Sequence, residues 1–536
     1  MKKNVIIYII LISMVVFFAR CVKKNSIDLD LFSQSMTEFI NRQDSTQKIF
    51  LEQVYPSGNI LPHWYSTPEE FRSRYNVLCS YLTSTLENHG INPALFYVDS
   101  IHRLVLDLDS FETDYTKLVK LDVLMSKSYY NYCKAMMFGY FNPRKIYPQE
   151  YYIDVRKVDD TFLKAIFEQP TDTITLAHFL DSIQPKGELY KKMQQELRRL
   201  SVLRDANSKE KFWILAANME RERWIPEKKT SEKHIWVNVA AAQLWMICGD
   251  CIAGTMKVGV GKSDTHETPL LMGDMYEIFL NPTWIVPNSI IVNEISKKGT
   301  GAPAYISRNN MKVYKNGVIQ APCSVPWNTL SVKSQPYRIV QDSGKNNSLG
   351  KMKFSFDNPL SIYLHDTNAR HIFSSHQRDI SHGCVRVGEP LKLAFFCLAD
   401  VDTTDKAAVK KRKFYEDKIR YSIGMKPVSS ENAKVISQSG KSKVRYINVN
   451  PRITVLIDYR TCYVDTDGKI VFVPDCYKMD EILKKKLNNI PVNKQYAAKK
   501  QSDETRQPDE KKLFPANKDG LNTIIESVKK DTTEQN

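Results

Sequence analysis

From about residue 26 to residue 230, apolar and charged positions recur at helical spacing, as in YKKMQQELRRLSVL (190–203). In SKEKFWILAANMERERWIP, Phe212, Leu215, Met219 and Ile225 fall roughly on one stripe. Ser208 reads as the N-cap of that helix and Pro226 as its stop. This stretch predicts a mainly helical scaffold domain over 26–230 without a catalytic constellation, its many Tyr and Phe serving core and interface. Near His234 the texture changes to short β-like runs separated by turn dipeptides. HIWVNVAAAQLWMI and IAGTMKVGVG flank Gly249-Asp250, MKVYK and VIQAP flank Asn316-Gly317, and ITVLIDYRTCYV and KIVFV flank Asp467-Gly468. Asn-Gly and Asp-Gly, which tolerate positive φ, are hairpin signals, and Gly-Asp falls at the same kind of position. Residues 231–484 therefore predict a β-rich domain with a few helices, the best of them GEPLKLAFFCLADV (388–401), with Pro390 near its start. Residues 485–536 are rich in Lys, Gln, Asp and Glu and predict a mobile tail. The fold class expected is α+β multidomain, a helical half followed by a β-rich half.

The N-terminus follows neither pattern. Lys2 and Lys3 precede an apolar run over 5–19, after which come Arg20, Cys21, Lys23 and Lys24. A positive start and an apolar stretch of this length mark an export signal. Arg20 stands where a cleavage site wants a small residue, and it spoils a lipid-attachment reading of Cys21. An uncleaved anchor over 1–22 is the preferred expectation, with a cleaved signal and a lipidated Cys21 as alternatives. All three carry the rest of the chain out of the cytoplasm.

Composition narrows the function less than the patterning does. The chain has 536 residues, with 42% hydrophobic and 11% aromatic, enough for real cores and incompatible with a wholly disordered chain. Ten Cys are too sparse for a disulfide framework, and 76 Lys+Arg against 60 Asp+Glu give a formal charge of +16. That excess suits nucleic acid, a membrane surface or another acidic polymer. No zinc-finger spacing or aromatic-plus-basic RNA motif turns it into a nucleic-acid reading.

Candidate chemistry is concentrated in IYLHDTNARHIFSSHQRDISHGCVRVGEP (362–390). Four of the ten His fall within 18 residues here, His365, His371, His376 and His382, and Cys384 follows. The spacings are too irregular for a zinc site, and only one Cys is offered. Two readings remain open on residue types alone: scattered loop histidines beside an inert thiol, or a cysteine nucleophile with a histidine base. A thiol attacks as thiolate and wants a nearby imidazole in a polar, partly open setting. Gly383 permits a sharp turn and close backbone approach, and N–H groups at such a turn can hold an oxyanion. Arg386 would share a side with Cys384 if a strand continues, offering a carboxylate clamp. Elsewhere, the Cys248–Cys251 spacing resembles a redox pair but straddles a hairpin turn, and Cys397 reads as packing.

The segment resembles the active-site motif of the L,D-transpeptidases (YkuD-type catalytic domain), an upstream His followed by Ser-His-Gly-Cys-x-Arg. Here those are His365, Ser381, His382, Gly383, Cys384 and Arg386. KVGVGKSDTHETPLL (257–271), FLNPTWIVPNSI (279–290) and PYRIVQDSGKNNSLGKMKF (336–354) are similar to flanking pieces of the long YcbB-like branch. The resemblance implies that Cys384 is the nucleophile and His365 the general base, with the His382, Gly383 and Cys384 backbone shaping the oxyanion hole. It implies a positioning or carboxylate-binding role for Arg386, and supporting roles for Tyr363 and Ser381. A capping subdomain would lie at about 291–345, with Trp327 in it. The small peptidoglycan-binding module common in that branch has no room before Ser208. The implied activity is 3–3 cross-linking of peptidoglycan stem peptides, a donor tetrapeptide and an acceptor amine, on the periplasmic side of the inner membrane. No metal, cofactor or nucleic acid is implied. Water as acceptor would make a carboxypeptidase, a protein amine would attach an envelope protein, and a non-catalytic wall-binding scaffold is the alternative from another class.

Overall fold

The computed structural model describes residues 27–488, apart from 59, 107–113, 149, 170–171, 204, 226–232, 334, 439–442 and 466. The expected signal or anchor segment and most of the expected tail lie outside the described residues. No helix among the described residues is long and apolar enough to cross a membrane. The described residues divide into two compact units, one from the stretches 27–142, 155–225 and 480–488 and the other from 143–154 and 233–479.

The first unit is helical, and its helix starts are written in the sequence largely as acidic caps. Asp28, Asp44, Asp114, Asp172 and Asp205 each accept a backbone N–H from the first turn of the helix that follows, and Thr67 does the same ahead of Pro68. The long helix Tyr115–Phe138 buries Leu118, Leu121, Met125, Tyr129, Tyr132 and Met136. The helix expected from Ser208 begins earlier, at Ala206, because Asp205 takes the Ser208 N–H at 2.9 Å and is itself the cap. Its apolar stripe is also wider than expected. Glu220 and Arg223 have no exposure and pair with each other, while Glu220 also accepts from Trp224 Nε1 at 3.0 Å and from the Phe141 N–H at 2.8 Å. Buried charges of this kind persist only when paired and hydrogen-bonded.

The second unit is built on a ten-stranded sheet. Its strands, together with those of two smaller sheets, are β1 (Tyr151–Tyr152), β2 (Lys233–Asn238), β3 (Gln243–Cys248), β4 (Cys251–Gly261), β5 (Leu270–Leu280), β6 (Trp284–Ile285), β7 (Met311–Lys315), β8 (Val318–Gln320), β9 (Tyr337–Gln341), β10 (Met352–Phe356), β11 (Tyr363–His365), β12 (Asp379–Ser381), β13 (Val385–Val387), β14 (Tyr446–Asp458), β15 (Cys462–Val464) and β16 (Ile470–Phe472). The large sheet runs β1-β5-β10-β11-β13-β4-β3-β2-β14, with β12 as the tenth strand beside β4, and β14 pairs back onto β5, so the sheet closes on itself. Closure leaves its strands with an inner face to fill, and β14 does so with Ile447, Val449, Ile453, Val455 and Ile457 at near-alternate positions. The three expected turns all join paired strands: β3 to β4 at Gly249, β7 to β8 at Asn316-Gly317 and β15 to β16 at Gly468. The run 234–247, read as one segment, is instead a hairpin of β2 and β3 through Val239–Ala242, a turn without an Asn-Gly or Asp-Gly signal. The helix expected over 388–401 is confined to Pro390–Phe396.

Between β5 and β10 the chain builds a separate four-stranded sheet, β6-β9-β7-β8, with short helices over Asn288–Arg308. Ile291, Ile295, Ala302, Ile306, Val313, Trp327 and Ile339 give it a core of its own. It falls where the capping subdomain was expected, and we refer to it as the cap.

Candidate active site

The pairing of β10, β11 and β13 assembles the site. Lys353 on β10 lies opposite His365 on β11, and His365 lies opposite Arg386 on β13. Directly paired residues project to the same face of a sheet, so Lys353, His365 and Arg386 form a row across three strands. Two positions earlier on the same chain segments, Tyr363 and Cys384 meet. The Tyr363 backbone N–H and hydroxyl both act on the Cys384 thiol in favour of its anion, and the Trp284 indole on β6 acts on the Tyr363 hydroxyl. The Tyr363 and His365 rings stand edge to face at 5.6 Å.

Local bonds fix the orientation of His365. Its Nδ1 lies 2.5 Å from the carbonyl oxygen of Asp366. A carbonyl only accepts, so Nδ1 carries the proton and Nε2 is left with its lone pair when the ring is neutral. Burial, then the Arg386 guanidinium and then Lys353 push the imidazole down to about 3, outweighing the Asp366 carbonyl bond that favours the cation. His365 is therefore an uncharged imidazole at neutral pH. Asp366 is itself clamped, its carboxylate accepting from Lys351 N at 2.8 Å and from Arg370 at 2.9 Å.

The nucleophile turn is held from both sides. Ser381 Oγ donates to the Cys384 carbonyl at 2.5 Å and accepts the Gly383 N–H at 3.2 Å. Thr268 Oγ donates to the Gly383 carbonyl at 2.9 Å and accepts the Gly261 N–H at 2.8 Å. Tyr477 completes this brace, its hydroxyl accepting from Thr268 N and donating to the Gly261 carbonyl at 2.6 Å. In a trans peptide the C=O and N–H point in opposite directions. With the Gly383 carbonyl turned to Thr268, the Cys384 N–H points the other way. The Gly383 N–H is occupied by Ser381, which leaves Cys384 N–H as the better placed oxyanion donor of the two. Gly383 sits at φ +106°, a conformation that side chains rarely adopt.

Cys384 is half-buried, and burial raises its thiol above the ordinary value; the Tyr363 N–H and hydroxyl, Lys353 and Arg386 oppose that rise. Arg386 is also half-buried, its Nε sealed without a hydrogen-bond partner. The remaining histidines separate from the site. His382, adjacent to the nucleophile in sequence, directs Nε2 to Glu294 of the cap and packs its ring 4.6 Å from that of His266. His371 and His376 are exposed. Cys248 and Cys251 face each other across the β3–β4 hairpin as free thiols, and Cys397 is buried with its sulfur 3.6 Å from that of Met275. Among the described residues no cluster of His, Cys, Asp and Glu could hold a metal ion.

Two family models match parts of the chain. Residues 232–420 match the L,D-transpeptidase catalytic domain (YkuD), and residues 50–197 match the Scaffold domain. The chain carries a YkuD-type L,D-transpeptidase catalytic domain. A protein of Haemophilus influenzae (strain ATCC 51907 / DSM 11121 / KW20 / Rd) named "Putative L,D-transpeptidase" is 29% identical over 308 residues, 57% of this chain. The chain spans 55% of that relative's length. A solved structure described as "Structure of the Ldtfm-avibactam carbamoyl enzyme" matches 32% of this chain and 46% of its own at 11% identity, with a TM-score of 0.16, too low to carry an argument. Four residues of the catalytic domain that motif reading missed are Trp284, Thr268, Tyr477 and Lys353. Trp284, Thr268 and Lys353 stood inside the quoted flanking segments, but only strand pairing and the cap bring them to the site.

Proposed function

We propose that the protein is a peptidoglycan L,D-transpeptidase that forms 3–3 cross-links through a thioester on Cys384. The observation that carries this reading is the placement of a half-buried thiol at the start of β13, beside the strand that holds His365 neutral and in the Nδ1–H tautomer. Neither group is charged at rest, so attack and proton transfer run together. The Cys384 sulfur bonds to the carbonyl carbon of the donor stem's third residue while the thiol proton passes to His365 Nε2. The developing oxyanion meets the Cys384 N–H, fixed by the Thr268 and Ser381 bonds. The C–N bond to the terminal residue then breaks, and His365 returns the proton to the departing amine. The side-chain amine of a second stem attacks the thioester, loses its proton to His365 and restores the thiol. Arg386 faces the reacting centre and can hold a substrate carboxylate.

The N-terminal segment supports placing this chemistry in the cell envelope, with the chain held at the periplasmic side of the inner membrane. Intact-mass measurement after incubation with a tetrapeptide stem tests the covalent step. The wild type should gain the mass of the donor less its terminal residue, and Cys384→Ala should gain nothing. An adduct of the same size on Cys384→Ala would overturn the assignment of the nucleophile.

A further inference from the structure

Lys353 is the charged member of the row that no motif names. Its ammonium lies 4.5 Å from the centre of the Tyr363 ring and 5.7 Å from that of Phe279 on β5, gripped by two aromatic side chains. Among the described residues it makes no ion pair, and Glu277, two positions from Phe279 on β5, acts on it only at longer range. A half-buried lysine without a close carboxylate is costly unless an anion visits it. Its ring neighbour Tyr363 acts on the Cys384 thiol, and its cross-strand neighbour is His365. The groups that face the thiol are thus the Tyr363 N–H and hydroxyl, Lys353 and Arg386. Those that face the imidazole are the Asp366 carbonyl, the Tyr363 ring, Arg386 and Lys353. Before proton transfer, a positive partner for the sulfur cannot come from His365, which is neutral at rest.

We propose that Lys353 is a positioning cation of the reaction, held by Phe279 and Tyr363 so that it stabilises the negative charge that develops on the Cys384 sulfur as its proton leaves and keeps His365 free to accept that proton. The proposal rests on Cys384 being the nucleophile. It assigns one residue two effects of the same sign: with Lys353 neutralised, the titration midpoints of Cys384 and of His365 both move upward. A lysine that served only packing would move neither.

The test uses the full-length chain and iodoacetamide, with alkylation of Cys384 followed by peptide mass spectrometry across pH, and the exposed Cys251 as internal control. Lys353→Met and Lys353→Gln should raise the Cys384 midpoint by about one pH unit, lowering its alkylation rate about tenfold near pH 7, while Cys251 is unchanged. Lys353→Arg should restore the wild-type midpoint. His365, followed by NMR of histidine-labelled protein, should titrate at higher pH in the Met and Gln variants. A Cys384 midpoint unchanged in whichever of these variants folds, or no recovery in Lys353→Arg, overturns the role. Alkylation needs no peptidoglycan, so that result leaves the proposed activity standing. Adduct formation by Cys384→Ala would remove the activity reading instead.

Discussion

Thr268→Val exchanges a hydroxyl for a methyl of nearly equal size in a side chain without solvent exposure. The exchange opens no cavity, so its cost comes from two broken bonds. The Gly383 carbonyl loses its donor at 2.9 Å and the Gly261 N–H loses its acceptor at 2.8 Å, both in a sealed place. An unsatisfied buried group costs about 1–3 kcal/mol, so the pair should cost roughly 2–6 kcal/mol. Catalysis should suffer separately, because the Gly383–Cys384 peptide is then free to rotate and the Cys384 N–H no longer has a fixed direction. Loss of one oxyanion donor is worth about 100- to 1000-fold in rate. Hydrogen exchange over 257–262 and 381–387 measures the first effect, and the rate of acyl-enzyme formation measures the second. Thr268→Ser, which keeps the oxygen, should retain most of both. A Thr268→Val protein with wild-type protection and wild-type acylation would refute the brace.

Two further expectations follow from the same geometry. His365 is held at about 3, below the ordinary 6.5, so its contribution to stability is present above pH 6.5 and is lost as the pH falls toward 3. Between pH 7 and pH 4.5 that loss amounts to about 2–3 kcal/mol, and the protection factors of the β11 and β13 amides, which are corrected for the intrinsic slowing of exchange in acid, should fall less on acidification in His365→Gln than in the wild type; an equal fall would contradict the assignment. Gly383→Ala should cost about 1–3 kcal/mol through backbone conformation, since the nearest atom to an added Cβ, Ile362 Cδ1, stands 3.6 Å away and leaves it room. A crystal structure of the variant with an unmoved turn and full acylation would refute that.

Much of the architecture is legible in the chain because local signals and final structure coincide. Asn316 and Gly317 both adopt positive φ, and so do Gly249 and Gly468 at the other two expected turns. The helical half and the β-rich half follow from their hydrophobic periods. Cys384 and His365 stood out through a motif whose spacing reflects two neighbouring parallel strands. What escaped reading depends on pairing between distant segments. Lys353 is one more lysine until β10 sets it against His365, and Thr268 and Tyr477 carry no sign that they meet at Gly261. His382 could not be separated from His365 by proximity to Cys384 in sequence; its bond to Glu294 comes from the cap. Asp205 and Ser208 both suit an N-cap, and only the backbone path decides between them. Glu220 and Arg223 look like solvent-facing charges in a hydropathy pattern, because their burial depends on each other.

The central claim is that Cys384 forms 3–3 cross-links. Muropeptide analysis of cells carrying the wild-type chain or Cys384→Ala as their sole L,D-transpeptidase tests it most directly. The account predicts dimers linked between third residues in the wild type and none in the variant. Unchanged 3–3 dimers in Cys384→Ala would contradict it, and tripeptide stems accumulating without dimers in the wild type would show that water is the acceptor.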